Sequence, residues 1–257
     1  MPVRLPIIKP GNKLGEIIVT ALRKQAPHLK RSDLVAVASK VVSICENRIV
    51  RLDHVPLSQS SKRIARRWRM DERLAALVQI EADRIVGGVR GFLLTEKNGI
   101  LTANAGIDLK NSPPRTATLW PRDSDASAKR LLEILDREFK VKVGVLIVDS
   151  RVTPLRLGTI GLALGTSGFL PVCDERGKKD LYGREVQVTE TNLADDLAAC
   201  AHFLMGETDQ RIGVVVLRNT RVRFGSSYDS RRAKLSVERC LIARNLLPIR
   251  NRRFSYS

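Results

Sequence analysis

Stacking side chains are scarce in this chain: Phe, Trp and Tyr make up 4% of 257 residues. Proteins that grip single-stranded nucleic acid lay bases on aromatic faces, and this sequence also lacks any helix-turn-helix or RNA-recognition signature. Base-specific recognition is therefore not expected. Cysteine is scarce too. Cys45, Cys173, Cys200 and Cys240 lie far apart, without Cys-x-x-Cys spacing or flanking histidines, which excludes the common zinc patterns and reads as free, mostly buried thiols. The three histidines, His28, His54 and His202, fall in no triad-like arrangement. No apolar run approaches the roughly 18 residues of a membrane helix, and the start Met1-Pro-Val-Arg-Leu-Pro6 has no secretion-signal core. A soluble, cytoplasmic protein is expected. A Gly-x-x-x-x-Gly-Lys-Ser/Thr loop is also missing, which excludes a P-loop nucleotide fold.

What the chain does have is apolar material and positive charge. A hydrophobic share of 43% over this length is enough for one large domain or two small ones. The formal net charge is +18, and half of it lies between Ile212 and Ser257, where eleven basic residues face only Asp229 and Glu238. A second cluster is Lys62-Arg63-Ile64-Ala65-Arg66-Arg67-Trp68-Arg69. Such patches attract polyanions, but a solvated basic surface explains them better than nucleic-acid recognition, and positive potential also helps capture small anionic substrates.

Periodicity shows mixed helix and strand content, without the clean alternation that a doubly wound Rossmann sheet requires. Asn12, Ser58, Asp71, Ser124 or Ser127, and Asn192 are candidate helix caps. The helix after Asn192 is expected to bury Leu193, Leu197, Ala201 and Leu204 and to end on Gly206 as a left-handed cap. Strands are expected at Leu34 to Ala38, Arg48 to Leu52, Phe92 to Thr95, Val143 to Val148, Thr159 to Leu164, Glu185 to Thr189 and Ile212 to Leu217. Residues 1–217 are expected to form the main body, as one unit or two intertwined subdomains, and 218–257 a basic extension with a helix from Ser236 to Leu246. Gly158, Gly161, Gly165 and Gly168 fit either a phosphate approach or tight packing.

Three acids stand at expected element ends: Asp108 in Asn-Ala-Gly-Ile-Asp, Asp149 after Val143 to Val148, and Glu207 after Gly206. Carboxylates so placed suit Mg²⁺ or Mn²⁺, which take oxygen ligands and share them with substrate phosphates. Taken singly, each acid is equally a cap or a turn residue. Convergence is not legible from spacing.

The chain resembles the coenzyme F420-0:gamma-glutamyl ligase family in a series of short blocks that occur in the family's order. These are Leu5-Pro6-Ile7-Ile8-Lys9-Pro10-Gly11, Ser39-Lys40-Val41-Val42-Ser43, Asn104-Ala-Gly-Ile-Asp108 with Asn111, Asp149-Ser150, Lys179-Asp-Leu-Tyr-Gly-Arg-Glu185 and Met205-Gly206-Glu207. The resemblance implies an α+β fold of mixed sheets and helices, neither P-loop nor Rossmann, in a homodimeric, GTP-dependent ligase that joins the amine of L-glutamate to a carboxylate of the anionic deazaflavin precursor F420-0. Activation as an acyl phosphate, aided by two divalent ions (Mg or Mn), is part of that expectation. Asp108, Asp149, Ser150 and Glu207 fall at the family's metal positions. Leu5, Pro6, Ile7, Ile8, Ser39, Lys40, Asn111, Met205, Gly206, Thr208, Asp209, Gln210, Arg211 and Ile212 fall at its guanine-nucleotide positions. Two departures stand out: Ile44 replaces a second lysine, and Arg151-Val152-Thr153-Pro154-Leu155 lacks an arginine and an aromatic residue. They leave a paralogue with another carboxylate acceptor as the alternative.

Overall fold

The apolar runs Leu34 to Ala38 and Val143 to Val148 form the middle of a five-stranded sheet, the place where strands buried on both faces belong. The computed structural model describes residues 1–225 and 227–247. Contacts divide the chain into two units that interleave along the sequence. One comprises Met1–Arg51 and Asp108–Ala233, the other Leu52–Ile107 and the segment from Lys234 onward.

The first unit begins with β1 (Pro2–Arg4), α1 (Leu14–Gln25), β2 (Leu34–Ala38), α2 (Ser39–Cys45) and β3 (Ile49–Arg51). The chain then forms α3 (Gln59–Trp68), α4 (Glu72–Glu81), β4 (Arg84–Val89), β5 (Phe92–Lys97) and β6 (Ile100–Ala103) of the second unit. It returns to the first with β7 (Thr116–Thr118), α5 (Ser124–Phe139), β8 (Gly144–Val152), β9 (Thr159–Ser167), β10 (Cys173–Asp174), β11 (Glu190–Thr191), α6 (Leu193–Met205) and β12 (Ile212–Leu217). A short α7 (Leu241–Leu246) follows in the second unit. Helices and mixed sheets together make the fold α+β, as expected.

In the first unit the sheet order is β1-β12-β2-β8-β9; only β2 and β8 are parallel. Its core gathers Leu34, Ala36, Leu146, Val148, Phe169 and Val215 under α6. The expected face of α6 is corrected in part: Ala201 is buried and Leu197 packs against the core as expected, but Ala194, Ala198 and Met205 are buried in place of Leu193 and Leu204, and Leu204 and Cys200 are exposed. The cause is a close approach to β9. A Cβ on Gly161 would lie 2.2 Å from the Ala198 carbonyl oxygen, so only small residues fit between helix and strand. Asp195 Oδ1 accepts from the Ala163 amide at 2.9 Å and locks the register. Gly165 meets the Ser124 backbone in the same way, so these glycines serve packing.

Other expectations shift for local reasons. Asn192, Ser58 and Asp71 do cap their helices. Lys13 rather than Asn12 precedes α1, and Asn12 instead accepts from the Lys9 amide at 2.8 Å. Asp123, not a serine, caps α5. No regular strand forms at Glu185 to Thr189, where hairpin bonds such as Val186 N to Lys178 O hold the chain. β8 runs past Val148 to Val152, so Asp149 lies inside a strand rather than after it.

In the second unit α3 and α4 accompany the β4-β5-β6 sheet, with Leu74, Val78, Leu93 and Ala105 at the centre and Ile64 and Trp68 packed against them. Arg63, Arg66 and Arg67 of the basic cluster are exposed on α3. The helix expected over Ser236 to Leu246 is confined to α7, and Arg250, Arg252 and Arg253 lie outside the described residues. Among the described residues no helix is long and apolar enough to cross a membrane.

Candidate functional site

Strand direction and register bring distant segments to one end of the five-stranded sheet. Parallel pairing sets Ala38 opposite Val148, so Ser39-Lys40 and Asp149-Ser150 lie side by side. β12 runs antiparallel to β2, which brings its start at Ile212, and the Gly206–Arg211 loop before it, to the same end. β1 pairs with β12 through Arg4 and Ile212, and Leu5 to Ile8 follow there. Open sheets bind ligands beyond such strand ends.

Asp108 arrives from outside the sheet. Its backbone exchanges both hydrogen bonds with Thr118 of β7 at 2.9 and 2.8 Å. Its carboxylate then takes Lys40 Nζ at 2.6 Å on Oδ2 and the Lys110 amide at 2.7 Å on Oδ1. Lys40 Nζ also donates to the Lys110 carbonyl. Lys110 Nζ reaches Glu207 Oε2 at 2.6 Å, and Asn111 Nδ2 donates to the Thr208 carbonyl at 2.8 Å. These bonds hold the 108–111 segment against the loop after α6.

Asp149 receives Trp120 Nε1–H and hydrogen bonds from the Ser39 hydroxyl and the Ser150 amide. Burial pushes its carboxyl above the ordinary value; those three bonds lower it by less, and the Asp108 charge adds to the rise. Glu207 behaves oppositely. Burial alone would raise it, but Lys110, His202 and Thr159 together bring it down to about 2. His202 Nε2 and Thr159 Oγ1 both meet Glu207 Oε1, at 2.8 and 2.9 Å. Gly206 does not adopt the expected left-handed cap. Its φ of 72° and ψ of 178° are open essentially to glycine alone, and this turn swings Glu207 from the helix end toward Lys110.

The remaining candidates are arranged as follows. Leu5 is buried and its amide donates to the Arg211 carbonyl at 2.9 Å, whereas Pro6 and Ile7 are exposed and Ile8 is half-buried. Thr208 and Gln210 bond each other reciprocally at 2.9 Å, with Thr208 also near Asp209. Arg211 has a positive φ of 56°, and Ile212 opens β12. Met205 belongs to the core beneath the loop. Lys179 pairs by backbone with Glu185 in a projecting hairpin.

Sequence reasoning passed over four side chains in this cluster: Lys110, Trp120, Thr159 and His202. Trp120 carried a faint signal, because a buried indole N–H needs an acceptor in a chain with so few aromatics. His202 sits one turn before Gly206 on α6, but nothing in its spacing reveals that the chain doubles back to it.

The donor set of Asp108, Asp149, Glu207 and the Ser150 hydroxyl is all oxygen and suits a hard divalent ion. As they stand, no three His, Cys, Asp or Glu side chains among the described residues are grouped to hold one. Ammonium groups occupy two of the acids instead: Lys40 Nζ pairs with Asp108 and Lys110 Nζ with Glu207, and the hydrogen bond to Glu207, with the nearby charges of Asp108 and Asp149, raises the Lys110 pKa. The set fits a metal, provided that the lysines give way.

An α+β body with a cluster of acids and paired lysines at one sheet end is the class of protein this geometry defines. A family model described as F420-0:Gamma-glutamyl ligase matches residues 2–219, and the chain belongs to that family. It is 35% identical over 231 residues to the "Coenzyme F420:L-glutamate ligase" of Methanopyrus kandleri, covering 90% of each chain. The protein of the same name from Methanothermobacter thermautotrophicus is 33% identical, covering 83% of this chain and 85% of its own. That from Archaeoglobus fulgidus is 36% identical, covering 85% and 86%.

Proposed function

We propose that this ligase of coenzyme F420 biosynthesis uses GTP to activate the carboxylate of F420-0 as an acyl phosphate, which the amine of L-glutamate then displaces. Family membership supports the ligase reaction; the observation that carries the nucleotide and metal assignment is the convergence of residues 5–8, 39–40, 108–111, 149–150 and 206–212 at one sheet end. Asp108, Asp149, Ser150 and Glu207 would hold Mg²⁺ or Mn²⁺, and the chemistry such ions supply when bound is neutralisation of the transferring phosphoryl oxygens. Trp120 and Ser39 orient Asp149; His202 and Thr159 orient Glu207. Lys40, at the start of α2, is placed to meet a phosphate once Asp108 is otherwise engaged.

The direct test incubates the protein with GTP, Mg²⁺ or Mn²⁺, L-glutamate and F420-0 and follows product mass. A gain of one glutamyl unit is expected. Metal-dependent GTP binding without that product would favour another acceptor, the reading that Ile44 and the altered 151–155 segment support. Neither binding nor product would end the proposal.

The same reading includes a homodimer. Two projections of the first unit carry apolar tips that a lone chain leaves in water: Leu155 and Leu157 between β8 and β9, and Leu181, Tyr182 and Val188 in the 177–189 segment. Exposed apolar side chains on projections of this kind mark an association surface, and a second copy is its expected occupant. Light scattering should return twice the monomer mass, and Leu157→Asp combined with Leu181→Asp should return the monomer. Wild-type protein at monomer mass would refute it.

A further inference from the structure

Three carboxylates at one sheet end repel one another unless a cation stands among them. Two lysines supply that charge here, and they are held differently. Lys40 is 22% exposed and bonds both Asp108 and the Lys110 carbonyl. Lys110 is 60% exposed; its backbone is fixed by the Asp108 carboxylate and by Lys40, while its ammonium reaches Glu207 at the end of a flexible stem. A lysine with a fixed root and a free-swinging head can leave a carboxylate at little cost. The other groups around Glu207 are His202 and Thr159, which hold Oε1 and leave Oε2 to Lys110.

We propose that Lys110 is a tethered counter-cation that competes with divalent metal for Glu207, holding the acid cluster together when no metal is bound and withdrawing when one enters. This rests on the reading of Asp108, Asp149 and Glu207 as metal-holding groups and adds a residue that reading did not contain. A dication beside Glu207 and an ammonium on the same carboxylate exclude each other, so each weakens the other's hold. The metal affinity of the nucleotide-free protein is thereby set lower than the carboxylates alone would set it.

The experiment titrates Mn²⁺ into nucleotide-free wild type, Lys110→Met and Lys110→Arg, reading free Mn²⁺ by electron paramagnetic resonance, and records melting of each in EDTA. Lys110→Met should bind Mn²⁺ roughly two- to fivefold more tightly, the range a half-exposed charge pair supports. It should also melt lower in EDTA, because the acids lose a counter-charge. Lys110→Arg should behave like wild type in both. A lysine with a merely structural role cannot tighten metal binding when removed. Equal or weaker Mn²⁺ affinity in Lys110→Met overturns the competition while leaving the metal reading standing, and absence of Mn²⁺ binding in all three overturns both. If the methionine variant does not fold by circular dichroism, Lys110→Gln takes its place under the same criteria.

Discussion

Asp149→Asn should slow glutamyl transfer sharply and yet raise the melting temperature of the metal-free protein. The carboxyl is buried beside Asp108, and its folded-state pKa lies above its ordinary value. The folded state therefore holds that proton more tightly than the unfolded chain does, and the charged form costs stability at neutral pH. The sign follows: the cost is absent below the ordinary carboxyl pKa, grows as pH rises toward the raised value, and is complete above it. Asparagine keeps an oxygen for the Trp120 indole N–H and removes the charge. If metal and phosphate depend on that charge, the rate should fall by roughly a hundred- to a thousandfold, the usual loss when one preorganised electrostatic group is removed from an active site. Calorimetry in EDTA and a product-mass assay read the two effects separately. The stability gain should shrink as pH falls and the wild-type carboxyl becomes protonated. A variant that melts lower and still turns over would show that Asp149 is a structural acid.

The second large effect is expected at Gly161, on β9 opposite Ser150. An alanine Cβ there would meet the Ala198 carbonyl oxygen at 2.2 Å and the Ala199 amide nitrogen at 2.7 Å, both backbone atoms that cannot rotate aside. Relief requires α6 to lift from β9, at a cost of about 3 kcal/mol by denaturant titration. Because α6 carries His202 and delivers Glu207, activity should fall together with stability. Gly87→Ala is the matched control: its Cβ meets nothing within 4 Å, so it should change stability by only about 0.5 kcal/mol. Unchanged stability in Gly161→Ala would mean that the helix is free to move away from the strand.

How much of this was readable in advance differs from element to element. The strands Leu34–Ala38 and Ile212–Leu217 were legible to the residue, because unbroken apolar runs bounded by polar segments have few other uses. Asn192, Ser58 and Asp71 were legible as caps because their short polar side chains satisfy the first free amides of a helix. The buried face of α6 was legible at Ala201 and Leu197 and misread at Leu193 and Leu204, where Ala194 and Met205 are buried instead. Periodicity gave weight to the leucines, whereas the approach of Gly161 admits only the alanines. The short strands β4 and β7 carried almost no signal: one contains Gly87 and Gly88, and the other is three residues long.

By itself the sequence determined the mixed helix and strand content, the central strands and the family, because these depend on local pattern and on residues that keep their order. Only the tertiary structure decided that Asp149 lies within a strand, that the Lys110 ammonium meets Glu207 while its amide meets Asp108, and that Trp120 bonds Asp149 and Thr159 and His202 bond Glu207. Those facts depend on which strand ends meet: parallel pairing of β2 with β8 and the return of β12 beside them join positions more than a hundred residues apart. No spacing along the chain records such distances in space.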